Sequence, residues 1–353
     1  MAEPRLVPEN ILSPANIWRD RNVLVTGADG FIGSHLVEAL VRRGAKVTAL
    51  ALYNAFDRHG WLDELDDAVR ASLTVVRGDI RDARQVETLC REQSAVFHLA
   101  ALIGIPYSYQ AASSYVQVNV QGTLNVLEGA RAAGVARVVH TSTSEVYGTA
   151  LRRPIDEDHP LQGQSPYSAS KIGADMMAES YARSFGLPVV TLRPFNTYGP
   201  RQSERAVLPT IVRQAVDSRC AEIRIGDLTP SRDFTFVTDT AEAFIKVAEL
   251  DDSHAGTVFN AGTGRMVTVA DALQIIQRLT ACDKPVVTEA VRRRPENSEV
   301  MALQADHSRL TGASGWTADV SLEQGLERTI DWWRGRMHAT QNNETWRQPS
   351  YMI

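Results

Sequence analysis

The chain has 353 residues, 44% hydrophobic and 22% charged, an ordinary globular balance with length for one large domain and a smaller one. Its net charge is −5 and its densest basic run is Arg292-Arg293-Arg294, which argues against nucleic acid as a partner; no apolar run approaches the roughly 20 residues that span a bilayer. Cys90, Cys220 and Cys282 are scattered and show neither a disulfide framework nor metal-ligand spacing. His98 and His140 end apolar runs and read as packed core. Met1 to Asp20, with Glu3, Glu9 and three prolines, lacks the make-up of a secretory signal. The expectation is a cytoplasmic, metal-free enzyme or binding protein.

After an N-terminal arm (residues 1–19), Asn22-Val23-Leu24-Val25-Thr26 reads as a buried parallel strand. It runs into Gly27-Ala28-Asp29-Gly30-Phe31-Ile32-Gly33, then a helical pattern from Ser34 to Arg43 stopped by Gly44. Strand, glycine turn and helix together form a dinucleotide site: the glycines let the backbone turn tightly beside a pyrophosphate, which meets the helix N-terminus. The spacing is G-x-x-G-x-x-G rather than G-x-G-x-x-G.

The alternation continues with strands at Lys46–Leu52 and Leu73–Arg77, a helix from Asp82 to about Glu92, and a strand over Ala95–Ala101. A long helix (Ser113–Ala133) leads to the strand Arg137–Thr141; the helix bearing Tyr167 follows, and then the strand Pro188–Arg193. This β-α-β series predicts a parallel sheet covered by helices on both faces, with ligands beyond the carboxyl ends of the strands. Gly27, Asp79, Ala100, Thr143 and Arg193 fall at those ends. Past Pro194 the pieces shorten. Helices are predicted over Pro209–Arg219, Thr240–Leu250, Thr268–Leu279 and Leu322–Trp333, and strands over Glu222–Ile225 and Phe234–Val237. The predicted division is an α/β dinucleotide-binding domain over 20–200, a smaller C-terminal α/β substrate-binding lobe over 201–337 with possible chain crossovers, and a polar tail over 338–353.

Tyr167 and Lys171 stand at i and i+4 and share a helix face. A free phenol titrates near 10, and a neighbouring ammonium favours the phenolate, so the pair is one way to make a base for an alcohol proton.

The glycine turn, Asp79-Ile80, His98-Leu99-Ala100-Ala101, Asn119-Val120-Gln121-Gly122-Thr123, Thr143, Tyr167/Lys171, Arg193-Pro194-Phe195-Asn196 and Arg232-Asp233-Phe234 together resemble the extended short-chain dehydrogenase/reductases acting on nucleotide sugars. Within that family the chain is most similar to 4,6-dehydratases of the legionaminic-acid pathway type, in the stretches Leu102–Tyr109, Thr141–Thr149, Pro160–Tyr167 and Pro295–Met301. The resemblance implies a Rossmann-like fold and a tightly held nicotinamide dinucleotide. Its contacts are Gly27, Asp29, Gly30, Phe31, Ile32, Gly33, Asn54, Asp79, Ile80, Leu99, Ala100, Ala101, Tyr167, Lys171 and Pro194. It also implies that Tyr167 with Lys171 takes the C4 hydroxyl proton while hydride passes to the nicotinamide, with Thr143 positioning that hydroxyl. Glu145 is then the base at C5, water leaves from C6, and hydride returns there to give a 4-keto-6-deoxy nucleotide sugar. Asn196, Arg201 and Arg232 are the implied substrate contacts, and the long helix and the Tyr167 helix pair with their copies in a second chain to make a homodimer.

Two departures bear on these expectations. Some dehydratases of the family have Asp-Glu where this chain has Ser144-Glu145, which leaves Glu145 to move the leaving-group proton itself. GDP-mannose dehydratases are similar to this chain in having Ser-Glu, and UDP-glucuronate decarboxylases resemble it with Thr-Ser-Glu; simple 4-epimerases lack the carboxylate. The region Leu50-Ala51-Leu52-Tyr53-Asn54 has no acid for the adenosine ribose. NAD is expected, with Asn54 or Tyr53 on the ribose, while Arg58 leaves NADP open. The substrate reading is a UDP- or GDP-linked N-acetylglucosamine; decarboxylase, 4-epimerase and a silent dinucleotide-binding regulator are the alternatives.

Overall fold

The computed structural model describes residues 16–289 and 300–341. Most of the N-terminal arm, residues 295–299 of the stretch ending at Met301, and nearly all of the tail lie outside the described residues.

The first half alternates strands and helices: β1 (Asn22–Thr26), α1 (Phe31–Arg42), β2 (Lys46–Leu52), α2 (Asp67–Ala71), β3 (Leu73–Gly78), α3 (Ala83–Cys90) and β4 (Ala95–His98). Then come α4 (Ile105–Gln110), α5 (Ala112–Tyr115), α6 (Gly122–Ala133), β5 (Arg137–Thr141), α7 (Pro166–Phe185) and β6 (Val189–Pro194). Beyond these lie β7 (Asn196–Tyr198), α8 (Val207–Val216), β8 (Ile223–Ile225), β9 (Ser231–Phe236), α9 (Val237–Ala248), β10 (Val258–Ala261) and β11 (Met266–Thr268). The last elements are α10 (Val269–Thr280), β12 (Val286–Thr288), α11 (Ser308–Ser314) and α12 (Leu322–Gln341).

The large sheet is parallel, in the order β3-β2-β1-β4-β5-β6-β10. The order reverses between β1 and β4, which places a ligand crevice at the carboxyl ends of those strands. Strand alternation sorts residues into two cores. Val23 and Val25 face a core with Leu36, Val37 and Phe244, while Leu24 faces one with Val96, Val126 and Leu127. Each such buried side chain contributes about 1.5–3 kcal/mol.

Several predicted elements differ at their ends, α12 by eight residues, and two differences bear on the site. The strand predicted to Ala101 ends at His98, because the Leu99 and Ala100 amides turn to donate to the Thr26 hydroxyl at 3.1 and 3.2 Å. The long helix is broken by a π-helical turn over Val116–Gln121, which swings Asn119 inward. Leu127 is core, with Leu124 and Met177 packed beside it, whereas Met176 is exposed.

The chain does not leave the large sheet for good at residue 200. Its Phe244, Ile245 and Val247 place α9 in the core shared with Leu36 and Val37, and β10 pairs in parallel with β6. A parallel neighbour requires a crossover, and α9 lies within it. The smaller lobe keeps its own core from α8, β9, α10 and α12, centred on Ile211, Phe236, Ile276 and Trp333.

Candidate active site

The turn after β1 is built on its glycines. Gly27 has φ +66°, and a Cβ there would lie 2.7 Å from Ala100 N, so the turn packs directly on the end of β4. A Cβ on Gly33 would sit 2.1 Å from the Gly27 carbonyl oxygen. Gly30 caps α1 with no side-chain hydrogen bond, and the first turn, including Phe31 and Ile32, carries no acid. Its free amides therefore suit an anion. This cradle fits a dinucleotide pyrophosphate.

Around it, Asp29 accepts from the Leu52 amide at 3.1 Å. Asp79 is paired with Arg81, its Oδ2 2.5 Å from Nη2, and the Ile80 carbonyl accepts from Asn125 at 3.0 Å. The loop after β4 is clamped by Asn119, which bonds both the Leu102 amide (2.8 Å) and its carbonyl (3.0 Å) and also reaches Ser170 of α7 (2.9 Å). Ala100, Ala101 and the Tyr167 helix are thereby tied to one side chain whose part the residue pattern did not reveal. Pro194 closes β6 and is buried.

Asn54 does not hold a free amide. Its Nδ2 donates to the Leu52 and Arg58 carbonyls (3.2 and 2.8 Å), and its Oδ1 accepts from the Phe56 and Arg58 amides (3.1 and 3.4 Å).

Ser165 caps α7 with a reciprocal bond to Ser168, Pro166 starts it, and Gly186 at φ 65° ends it. Tyr167 and Lys171 lie on its buried face, 7% and 3% exposed. The Lys171 ammonium donates to the Thr141 carbonyl at 2.5 Å. Burial pushes this amine down to about 8, against the pull of Asp175. Burial also pushes the Tyr167 phenol well above its ordinary value; a hydrogen bond with Thr143 opposes this, and the Glu145 carboxylate adds to the rise. The lowering expected from Lys171 is therefore not what the protein alone shows. Desolvation outweighs it, and the ammonium's hydrogen bond goes to the end of β5 instead.

Thr143 caps a 3-10 turn over Ser144–Tyr147 and accepts from the Glu145 amide at 3.2 Å. Ser144 is buried and Glu145 is partly exposed, within electrostatic reach of the Tyr167 phenol. The Tyr115 ring meets Tyr167 edge-on at 6.2 Å, and its hydroxyl donates to the Gly104 carbonyl at 2.5 Å. Thr143, Glu145, Tyr167 and Tyr115 thus converge on one rim.

Behind that rim lies a buried polar network. Asp175 accepts from His140 (3.0 Å), Ser142 (2.7 Å) and Arg193 (2.9 Å). Arg193 also donates to the Tyr147 hydroxyl at 3.0 Å, which donates to Asn260 at 2.7 Å. His98 bridges Thr26 and Thr123 at 2.9 and 3.0 Å, and burial keeps it neutral. Both histidines are core residues. Asp175 is not among the candidates read from the sequence; its place one turn past Lys171, on the same face of α7, is the one signal that could have found it.

Arg232 is buried on β9, and Asn196 on β7 carries a buried Oδ1 with no hydrogen-bond partner among the described residues. Arg201 pairs with Glu38 of α1 at 3.1 Å and sits within 3.4 Å of the Ser34 hydroxyl. Among the described residues no group of three or more His, Cys, Asp or Glu side chains is placed to hold a metal ion, and no helix is long and apolar enough to cross a membrane.

The sequence profile of the GDP-mannose 4,6-dehydratase family matches residues 24–329. The chain belongs to this family. It is an extended short-chain dehydrogenase/reductase with the Rossmann-like sheet described above. It is 32% identical over 336 residues to a trifunctional UDP-glucose 4,6-dehydratase/UDP-4-keto-6-deoxy-D-glucose 3,5-epimerase/UDP-4-keto-L-rhamnose-reductase of Arabidopsis thaliana, covering 93% of this chain but only 48% of that protein. The chain thus spans about half the length of that relative. It is 31% identical over 337 residues to a dTDP-D-glucose 4,6-dehydratase of Mus musculus, covering 93% of each. Among solved structures it resembles a UDP-glucose 4-epimerase of Thermus thermophilus in complex with NAD, with a TM-score of 0.78 and 29% identity over 89% of this chain and 99% of the other.

Proposed function

We propose that this family member is an NAD-dependent 4,6-dehydratase of a nucleotide-linked hexose, converting it to the 4-keto-6-deoxy sugar with loss of one water. The observation that carries the reading is the convergence of Glu145 with Tyr167 and Thr143. A carboxylate beside the phenol adds C5 chemistry that a simple 4-epimerase does not need.

The bound dinucleotide supplies a hydride acceptor at C4 and the returning hydride at C6, so the reaction is redox-neutral overall. Tyr167 takes the proton of the C4 hydroxyl as the phenolate, a form that burial opposes and that the positive charges of Lys171 and of a bound oxidised nicotinamide would favour, and Thr143, hydrogen-bonded to that phenol, holds the hydroxyl in line. The resulting ketone acidifies C5. Glu145 removes that proton and passes it to the departing C6 hydroxyl, because Ser144 supplies no second carboxyl. Lys171, anchored on Thr141, adds positive charge beneath the site below about pH 8. Arg232 and Asn196, whose Oδ1 has no hydrogen-bond partner among the described residues, face the rest of the substrate.

The dTDP-glucose and UDP-glucose relatives widen the substrate choice beyond UDP- or GDP-linked N-acetylglucosamine. Incubation with each of these four and with UDP-glucuronate, followed by mass analysis, tests the proposal. Loss of a water mass is expected; loss of carbon dioxide or an unchanged mass with a new epimer would replace it. Glu145→Gln is expected to oxidise C4 and stop, leaving reduced dinucleotide, and full turnover would remove Glu145 from the mechanism. We also propose a homodimer across α7 and the π-helical turn, where Met176 and Val116 are exposed, to be checked by sedimentation.

A further inference from the structure

In dinucleotide folds an acid at the end of the second strand hydrogen-bonds the ribose diol of the adenosine half. β2 of this chain ends at Leu52, followed by the exposed Tyr53. Two of the nearby polar groups are committed elsewhere. The Asn54 amide is saturated by its own loop, and Asp57 is ion-paired with Arg77.

The glycine turn supplies a carboxylate at the same place. Asp29 Oδ2 accepts from the Leu52 amide at 3.1 Å, which fixes the group against the last residue of β2. Its backbone is held from behind: the Trp61 amide donates to the Asp29 carbonyl at 3.0 Å, and a Cβ on Gly60 would come within 2.5 Å of that oxygen. Among the described residues the carboxylate's only other hydrogen bond comes from the Asp29 backbone amide, and no Lys or Arg pairs with it, which leaves acceptor capacity for a ligand hydroxyl. Burial raises its pKa against the pull of those two amides and of His59.

We propose that Asp29 takes over the missing strand-end role, accepting from the 2′-hydroxyl of the adenosine ribose and disfavouring a 2′-phosphate. The proposal rests on the dinucleotide-binding reading but not on the dehydratase chemistry. A ribose phosphate would set its negative charge beside a carboxylate that is already partly desolvated, and Arg58 of the same loop is the group that would have to offset this.

The test is binding in the absence of sugar. The dinucleotide released by denaturing the purified protein is identified, and affinities for NAD, 2′-deoxy-NAD and NADP are then measured by calorimetry on protein freed of it. Wild type is expected to release NAD and to bind it at least about tenfold tighter than either analogue, the scale of one charge-assisted hydrogen bond. Asp29→Asn keeps an acceptor for the Leu52 amide and loses the charge. Its preference for NAD over NADP is expected to fall by about tenfold with its melting temperature unchanged. In Asp29→Ala the gap between NAD and 2′-deoxy-NAD should close. Release of NADP, equal wild-type affinities, or an Asp29→Asn protein with the wild-type preference would overturn the assignment. Because no sugar is present, failure of the dehydration reaction does not affect these readouts.

Discussion

Lys171 donates a hydrogen bond to the Thr141 carbonyl at 2.5 Å and not to Tyr167, one turn earlier on the same helix. The bond staples α7 to the end of β5, two residues before Thr143, so the catalytic rim is set by one buried amine. Its folded pKa of about 8 lies below the ordinary 10.5 because burial disfavours the charge. Between those values the unfolded chain holds a proton that the folded one lacks, so unfolding free energy rises with pH there. The stability of wild type minus that of Lys171→Met should therefore increase by about 2 kcal/mol from about pH 7.5 to about pH 9.5 in urea titrations. A flat difference would mean that the amine titrates normally.

Asp175 is the counter-charge of that region. Burial works against its ionisation, yet the His140 hydrogen bond and the Arg193 charge hold its carboxyl below the ordinary 3.8. Its stabilising contribution is present above that value and is lost as pH falls further, through the folded pKa. Asp175→Ala leaves the Arg193 guanidinium buried without its anion, at a cost of about 3–5 kcal/mol. Urea unfolding at neutral pH measures this, and a loss under about 1 kcal/mol would show that Arg193 finds another partner.

Gly33 and Gly335 should respond in opposite directions to alanine. At position 33 the new methyl would press on the Gly27 backbone at 2.1 Å, costing about 1–3 kcal/mol and distorting the pyrophosphate cradle. At position 335, on α12, a Cβ meets nothing within 4 Å, so helix propensity alone should add about 0.5–1 kcal/mol. Thermal melts of both variants, with dinucleotide titration of Gly33→Ala, check the pair.

Tyr167→Phe removes the proton acceptor and leaves the ring against Tyr115. Turnover should fall by about 10²–10⁴-fold while dinucleotide affinity and melting temperature stay near wild type. A parallel loss of dinucleotide binding would reassign the phenol to a binding role.

Much of this was readable in the chain because it is local. The period of apolar residues marked the strands from β1 to β6, Gly27, Gly30 and Gly33 announced the turn, and Ser165 with Pro166 marked the start of the helix that sets Tyr167 and Lys171 on one face. What the sequence could not decide is which distant group each of these meets. Nothing in the order of residues says that Lys171 seeks Thr141, that Asp175 gathers His140 and Arg193, or that Asp29 lies at the end of β2. The same holds for α9 and β10, whose apolar residues suit either core and which the packed fold assigns to the large sheet. Propensity and periodicity act over one or two turns of chain; these partners are brought together only by burial across the sheet, where a polar group must find a donor or acceptor among whatever the fold has placed beside it.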